Sequence, residues 1–246
     1  MNSAFEIRVA ATVEELEACV CMQQQVWRFA DLDIVPRRVF VVARKIGGQT
    51  LMAWDGSTLA GFTLVLPGHR PGQTFWHSHM LAVAPAYRDR GLGRQLKLRQ
   101  REEALAQGID LIEWTFDPLE IKNGYFNLAR LGAVARHLHP NLYGLTSSAL
   151  QAGLPTDRLT AEWWLRSRAV AQLAAGEVPA PPQVVAQVAV PAAMDAWKHA
   201  GDSRAAEEQQ RISAGLSAGF AAGLAAVGYF RGEAGGTFML GPWEPA

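Results

Sequence analysis

The stretch His77 to Arg94 constrains the fold more than any other: it runs from an apolar strand through a turn into a glycine-punctuated helix start. His77, His79, Leu81 and Val83 alternate with Ser78, Met80 and Ala82, which predicts one strand face carrying both imidazoles and the large aliphatics. Pro85 stops the ladder. Arg88-x-x-Gly91-x-Gly93 follows, and a helix beginning there presents backbone N–H groups and the positive end of its dipole. A side chain at Gly91 or Gly93 would hold a phosphate away from those donors, so the pattern predicts a phosphate cradle. By glycine spacing alone, an ordinary strand-turn-helix corner reads the same way.

The flanks separate the two. A strand ending Leu81-Ala82-Val83, followed by Arg88-x-x-Gly91-x-Gly93, resembles motif A of the GNAT N-acetyltransferase superfamily, which binds the pyrophosphate of acetyl-CoA. The resemblance implies an acyl-CoA site made of Leu81, Ala82, Val83, Arg88, Asp89, Arg90, Gly91, Leu92, Gly93 and Arg94. It also implies a backbone N–H near Leu81 that polarises the thioester carbonyl.

The rest of the chain reads in the same order as that family. Phe5–Ala10 predicts a strand, and Thr12 with Glu15 a capping box before a helix to Trp27. After a polar break at 31–36, Pro36 suits the first turn of a helix to about Lys45. Asp55-Gly56 predicts a hairpin between strands Thr50–Trp54 and Leu59–Leu66, and Pro67-Gly68 with Pro71-Gly72 a loop. A helix to Gly108, a strand Ile109–Phe116, a helix Ile121–Leu131 and strands Ala133–Leu138 and Asp157–Leu165 follow. The resemblance therefore covers about residues 5–168. Trp114-Thr-Phe-Asp-Pro-Leu119 with Asn123, Asn127 and Leu131-Gly132-Ala133 is similar to a GNAT subfamily of predicted acyltransferases.

Gly176 and the prolines up to Pro182 predict a linker at 175–182, dividing a GNAT acyl-CoA-binding domain (1–174) from a C-terminal extension (183–246). Strand, two helices and a hairpin in that extension repeat the element order of the front half without residue-level self-similarity. Ile212 to Phe230 is 19 residues without a charge, but its apolarity is mostly alanine and glycine. The stripe Ile212, Leu216, Phe220, Leu224 predicts a helix docked on a soluble core rather than a membrane span.

Across 246 residues, Lys+Arg 23 balance Asp+Glu 23, so long-range attraction to nucleic acid or an anionic membrane is not expected. Cys19 and Cys21 point to different sides of a predicted helix and suit neither a disulfide nor a zinc site. With no signal-peptide pattern at the start, a cytoplasmic location is expected.

Moving an acyl group to an amine requires a base, a stabilised oxyanion and a proton for the thiolate. His79 and His77 are the candidate bases, because imidazole titrates near neutrality. His-x-His-x-Leu-Ala-Val is also similar to the strand of aralkylamine N-acetyltransferases whose paired histidines are implicated in deprotonating the amine. Two packed strand histidines remain the alternative. The family's usual acid tyrosine falls on Leu128; Tyr125, three residues earlier, is the catalytic candidate there, with Tyr143 further on. Asn123 and Asn127, four apart on a helix, are candidates to bond the pantetheine region, while capping alone would explain Asn123. Glu113 suits either a substrate-binding carboxylate or an exposed edge position. Arg90, Arg94, Lys97 and Arg99 predict a solvated basic helix start. A metal site using His137 and His139 lacks an evident carboxylate or thiolate, and no metal is expected.

The expected fold is α/β, a GNAT-type mixed, mostly antiparallel twisted sheet flanked by helices, with a smaller α+β C-terminal extension. The expected function is transfer of an acetyl or other acyl group from acyl-CoA to a small-molecule amine or amino acid. A succinyl-CoA-dependent amino-acid acyltransferase and a non-catalytic CoA-binding or sensing module are the alternatives. No nucleic-acid or membrane partner is expected, and a homodimer is left open.

Overall fold

Thr12 and Glu15 start the first helix as a capping box. Glu15 N donates to Thr12 Oγ1 at 3.3 Å, and Glu15 Oε2 accepts from Ala11 N at 2.6 Å and Thr12 N at 3.3 Å. The bond from Arg8 holds the Glu15 carboxyl down at about 2. The computed structural model describes residues 5–27, 33–144 and 153–245, so residues 1–4 of the N-terminus and 31–32 of the predicted polar break lie outside the described residues. The chain parts into two units, Met1–Ile112 and Glu113–Ala246.

The first unit holds β1 (Glu6–Val9), α1 (Val13–Trp27), α2 (Arg37–Lys45), β2 (Gln49–Asp55), β3 (Thr58–Arg70), β4 (Gln73–Val83), a 3₁₀ turn at Pro85–Tyr87 and α3 (Leu92–Ala106). Its strands lie in the order β1-β2-β3-β4, each antiparallel to the next. One core lies on the side of α1 and α2, where Leu16, Cys19 and Phe40 meet Met52, Phe62, Leu64, Met80 and Ala82. Burial there pushes the Cys19 thiol up to about 12. A second core lies under α3, where Leu92 and Leu96 meet Leu51, Ala53 and Ala60, with Leu81 and Val83 packed against them.

The hairpin β3–β4 is longer than the sequence predicts. β3 continues through Pro67 and Gly68 to Arg70, and only Pro71-Gly72 forms the turn. Pro67 is tolerated because β2 accompanies β3 only as far as Val65, so one edge of β3 beyond that point needs no donor to β2.

In the second unit, β5 (Leu111–Phe116), which begins in the first, leads to α4 (Ile121–Gly124). A π-helical segment Tyr125–Arg130, β6 (Val134–His139), β7 (Arg158–Trp164) and α5 (Arg168–Ala174) follow. Then come β8 (Ala186–Pro191), α6 (Met194–Ala200), α7 (Ser203–Ala221), β9 (Ala225–Gly232) and β10 (Gly235–Gly241). The strand order is β5-β7-β6-β9-β10-β8. Residues 183–246 share this unit with residues 113–174: β9 pairs with β6 at Ala226 and Ala135, and Trp243 meets Trp164 at 5.8 Å.

The element order of the front half recurs here, but the pairing does not. β1 pairs with the first strand that follows its two helices, whereas β8 pairs with β10, the second. The predicted helix stripe also shifts. α7 ends at Ala221, and Ala205, Gln209, Ile212, Leu216 and Gly219 are its buried face; Phe220 is half-buried and Leu224 lies past the helix. Gly219 lets α7 approach β10, since a Cβ there would stand 2.5 Å from Leu240 Cδ1. Among the described residues no helix is long and apolar enough to cross a membrane.

Tyr229 of β9 is 2% exposed, stacks edge-on against Phe238 at 4.8 Å, and its hydroxyl has no hydrogen-bond partner among the described residues. An unsatisfied buried hydroxyl opposes folding, so Tyr229→Phe should leave stability unchanged or raise it by about 1 kcal/mol. Urea unfolding of the two proteins checks this; a clear loss of stability would mean that the hydroxyl is bonded.

Candidate active site

β4 carries one residue more than β3 can match. Met80 pairs with Leu64 and Ser78 with Val65, leaving His79 without a counterpart. Such a bulge resets the alternation of side chains. Ser78 faces α3, because Lys97 Nζ of that helix donates to its Oγ at 2.8 Å. Leu81 and Val83 also pack toward α3, while Met80 and Ala82 lie in the α1/α2 core. His77 and His79, flanking Ser78, therefore point away from α3, and their ring centroids are 6.0 Å apart. The imidazoles do share one side, as predicted. They do not share it with Leu81 and Val83, which corrects the uninterrupted period-two reading.

Neighbouring protein lowers the pKa of both histidines by desolvation. His77 is brought down to about 4, with further contributions from His79 and from the positive charge of Lys97. The pKa of His79, an exposed residue, is also lowered by the protein packed around its ring. Solvent around the exposed His79 side chain moderates its shift, whereas His77 is half-buried.

The cradle follows within the same unit. After the 3₁₀ turn, Asp89 (φ 59°) and Gly91 (φ 77°) adopt left-handed backbone on either side of Arg90. Glycine suits the second position because an L side chain would be strained there, and no atom lies within 4 Å of where its Cβ would stand. The first bond of the α3 ladder runs from Gln95 N to Gly91 O at 3.1 Å, so the amides of Leu92 and Gly93 precede it. Arg88 Nε donates to Val83 O at 3.3 Å, and the Arg90 guanidinium sits over Tyr87 (5.3 Å) and Phe5 (5.5 Å). Arg94 is half-buried on the first turn of α3. Open space over a left-handed glycine, helix-start amides and three arginines against Asp89 fit a diphosphate. Leu81, Ala82 and Val83 run into this turn, paired with Thr63, Phe62 and Gly61 of β3.

Lys97 corrects the expected solvated basic face. It is 2% exposed, bonded to Ser78 and at 3.1 Å to Gln100 Oε1, and burial pushes its ammonium well below the usual range. The sequence did carry a signal for it. Leu92, Leu96, Gln100 and Ala104 mark the inward face of α3, and Lys97 falls on that arc. Arg99, by contrast, pairs with Glu103 on the outer side.

Asn123, Tyr125 and Asn127 belong to the second unit. The predicted continuous helix gives way after Gly124 to the π-helical segment, in which Leu131 N reaches back to Phe126 O at 3.0 Å. Asn123 is exposed, Tyr125 half-buried and Asn127 4% exposed, so the two asparagines stand at different depths. Leu128, at the family's tyrosine position, is 3% exposed. Glu113, an exposed edge in one reading, is buried. Tyr143 is held by its own network: its N donates to Thr156 Oγ1 at 2.9 Å and its hydroxyl meets Thr115 Oγ1 of β5 at 2.8 Å. Among the described residues no cluster of His, Cys, Asp and Glu could hold a metal ion.

Residues 15–124, which span the histidine strand and the cradle, match the family profile of the acetyltransferase (GNAT) family. Residues 15–124 form a domain of the GNAT family. Similar solved structures include the Escherichia coli ribosomal-protein-S18-alanine N-acetyltransferase, at 15% identity and TM-score 0.53 over 67% of this chain and 96% of that one. The aminoglycoside 6′-acetyltransferase type Ii is 18% identical, with TM-score 0.52 over 66% and 99% of the two chains. The Salmonella typhimurium yncA protein, solved with its cofactor acetyl-CoA, is 16% identical, with TM-score 0.52 over 68% and 97%. At these identities the likeness establishes the fold alone. No curated protein matches this chain.

Two outcomes follow from the geometry. In a folded Gly91→Val protein, CoA affinity should fall more than about tenfold, or 1.4 kcal/mol, and calorimetry showing an unchanged affinity would remove the cradle assignment. The second concerns pH. Folding lowers the His77 pKa from its ordinary 6.5 to about 4, so the unfolded chain takes up the proton first as pH falls. Its neutral form is fully accommodated above about 6.5, and stability is lost progressively as pH drops toward about 4. An NMR titration should place the His77 midpoint below that of His79; a His77 midpoint near its ordinary value would contradict this.

Proposed function

We propose that this GNAT protein is an acyl-CoA-dependent N-acyltransferase that moves an acetyl or other acyl group to the amine of a small molecule or amino acid. The observation that carries the reading is one continuous device in the first unit: two histidines on one side of β4, leading directly into a turn and helix start suited to diphosphate. In the reaction the amine nitrogen forms a bond to the acyl carbon, the carbon–sulfur bond breaks, and one proton passes from the amine to the thiol. His79 takes the amine proton directly or through water, with His77 as second member. The lowered pKa of His77 supports that ranking, since a base is most effective when its pKa lies near the working pH. Asn123 and Asn127 bond the pantetheine region, and Tyr125 returns a proton to the departing thiolate. The named neighbours act on an alanine of ribosomal protein S18 in one case and an aminoglycoside in another, and the small-molecule choice for this chain rests on the resemblance of its histidine strand to aralkylamine N-acetyltransferases.

A second reading, a CoA-binding or sensing module without turnover, is favoured by one observation: a buried leucine, Leu128, stands where the family's acid tyrosine is expected. Thiol release separates the two. Incubation with acetyl-CoA or succinyl-CoA and pooled amines or amino acids should liberate CoA thiol, and binding without release across such pools would favour the sensing module. For the enzyme, His79→Ala should lower turnover at pH 7 by roughly 10²- to 10⁴-fold, and the double change with His77→Ala by more, with CoA affinity near normal. Raising the pH should recover part of the rate, because more of the amine is then neutral. Full activity of the double variant from about pH 6 to 9 would leave both histidines as structural residues.

A further inference from the structure

The second unit contains a buried cation that the cradle and the histidines do not use. Lys198, in the last turn of α6, is 4% exposed. Its Nζ donates to Glu120 Oε1 at 3.0 Å and lies 3.6 Å from Asp117 Oδ2, which Arg158 Nη1 approaches at 3.9 Å. Both carboxylates stand on the turn that leads from β5 into α4. Asp117 Oδ1 accepts from Leu119 N at 2.8 Å, and Glu120 is the N-cap residue of α4, its carbonyl accepting from Gly124 N at 2.9 Å. One turn later the helix is gripped again. Gly124 packs against the Tyr229 ring so closely that a Cβ would stand 2.7 Å from Cε2. Lys198 and Tyr229 both come from the region beyond residue 182.

The segment needs such support on physical grounds. α4 is a single turn, and the π-helical segment that continues it is a rarer and wider winding, so its own hydrogen bonds set its direction only weakly. Burying an ammonium is expensive unless it is paired. Here it has two carboxylates within reach, and removing it would take away the cation bonded to Glu120 and leave Asp117 with the more distant Arg158 at the helix entry. The contact therefore ties the direction of α4 to α6.

We propose that Lys198 is a positioning residue for acyl-CoA: with Tyr229 it fixes the Asp117–Glu120 turn and α4, so that residues 183–246 hold Asn123 and Asn127 in working orientation. The proposal rests on the acyltransferase reading for the role of the two asparagines. It makes the C-terminal region part of the catalytic apparatus without giving it a group that touches substrate. Displacements of about an ångström at such a site reduce rates by up to about 10²-fold.

The test uses the full chain with Lys198→Met, Lys198→Arg and Glu120→Gln, and with Arg211→Ala as a control that breaks an ion pair to Glu208 elsewhere on α7. CoA affinity is measured by calorimetry, kcat and KM are measured separately for acetyl-CoA and for the acceptor, and folding is followed by thermal unfolding. Lys198→Met should weaken CoA binding and lower kcat, each on the order of tenfold, with the acceptor KM unchanged. Lys198→Arg should restore most of the loss, and Glu120→Gln should fall between. A folded Lys198→Met protein with parental CoA affinity and kcat would overturn the proposal, as would a loss that Lys198→Arg fails to restore and Arg211→Ala reproduces. If Lys198→Met does not fold, Glu120→Gln decides on the same readouts. Should the parent bind CoA but turn over no acceptor, the enzyme reading fails, and the CoA affinities of the variants still decide the role of Lys198.

Discussion

A single unmatched residue in β4 organises the first unit. With His79 left over between the Met80–Leu64 and Ser78–Val65 pairs, the strand presents its aliphatic end to α3 and its imidazoles to the opposite side. Without the bulge, His77 and His79 would share the α3 side with Leu81 and Val83, and the helix that carries the cradle would cover them. The extra residue separates the two tasks of one strand: anchoring the helix on one side and offering titratable groups on the other. Lys97 reinforces the break by bonding Ser78, the residue immediately before it. The resulting surroundings hold His77 neutral, and they leave the more open His79 with the milder shift.

What the sequence showed and what it hid divide along physical lines. Local chemistry was legible: the Thr12–Glu15 capping box, the Asp55-Gly56 hairpin, the strand-turn-helix corner at Gly91 and the helix stop at Gly108 all depend on a few adjacent residues. Pairing between distant segments was not. A bulge is a mismatch between two strands, so β4 alone could not reveal it, and Pro67 reads as a loop until the pairing of β2 along β3 is known to end at Val65. The π-helical winding after Gly124 likewise departs from the helix that its composition predicts. Lys97 reads as a surface cation by residue type, whereas its place on the inward arc of α3 buries it.

The C-terminal region shows the same contrast. Its element order copies the front of the chain, yet β8 pairs with the second following strand where β1 pairs with the first. Element order is written in the sequence, but spatial order depends on which edges the rest of the sheet leaves available. In this unit β9 lies between β6 and β10, and β8 falls to the edge. The small residues of α7 then have a specific use, since Gly219 allows the helix to seat closely against β10 at Leu240.

The arginines around Gly91 have a kinetic implication. The chain as a whole has zero formal net charge, so it exerts little pull on a distant anion. Arg88, Arg90 and Arg94 nevertheless concentrate positive charge at the start of α3, where the helix dipole has the same sign. A polyanion approaching within a Debye length, about 8 Å at physiological ionic strength, meets a local attractive field even though the molecule as a whole is neutral. Capture of a phosphate-bearing donor should therefore slow as salt is added, whereas a cationic or zwitterionic amine acceptor gains no such acceleration from this patch. Ionic strength would then act on the order in which the two substrates arrive.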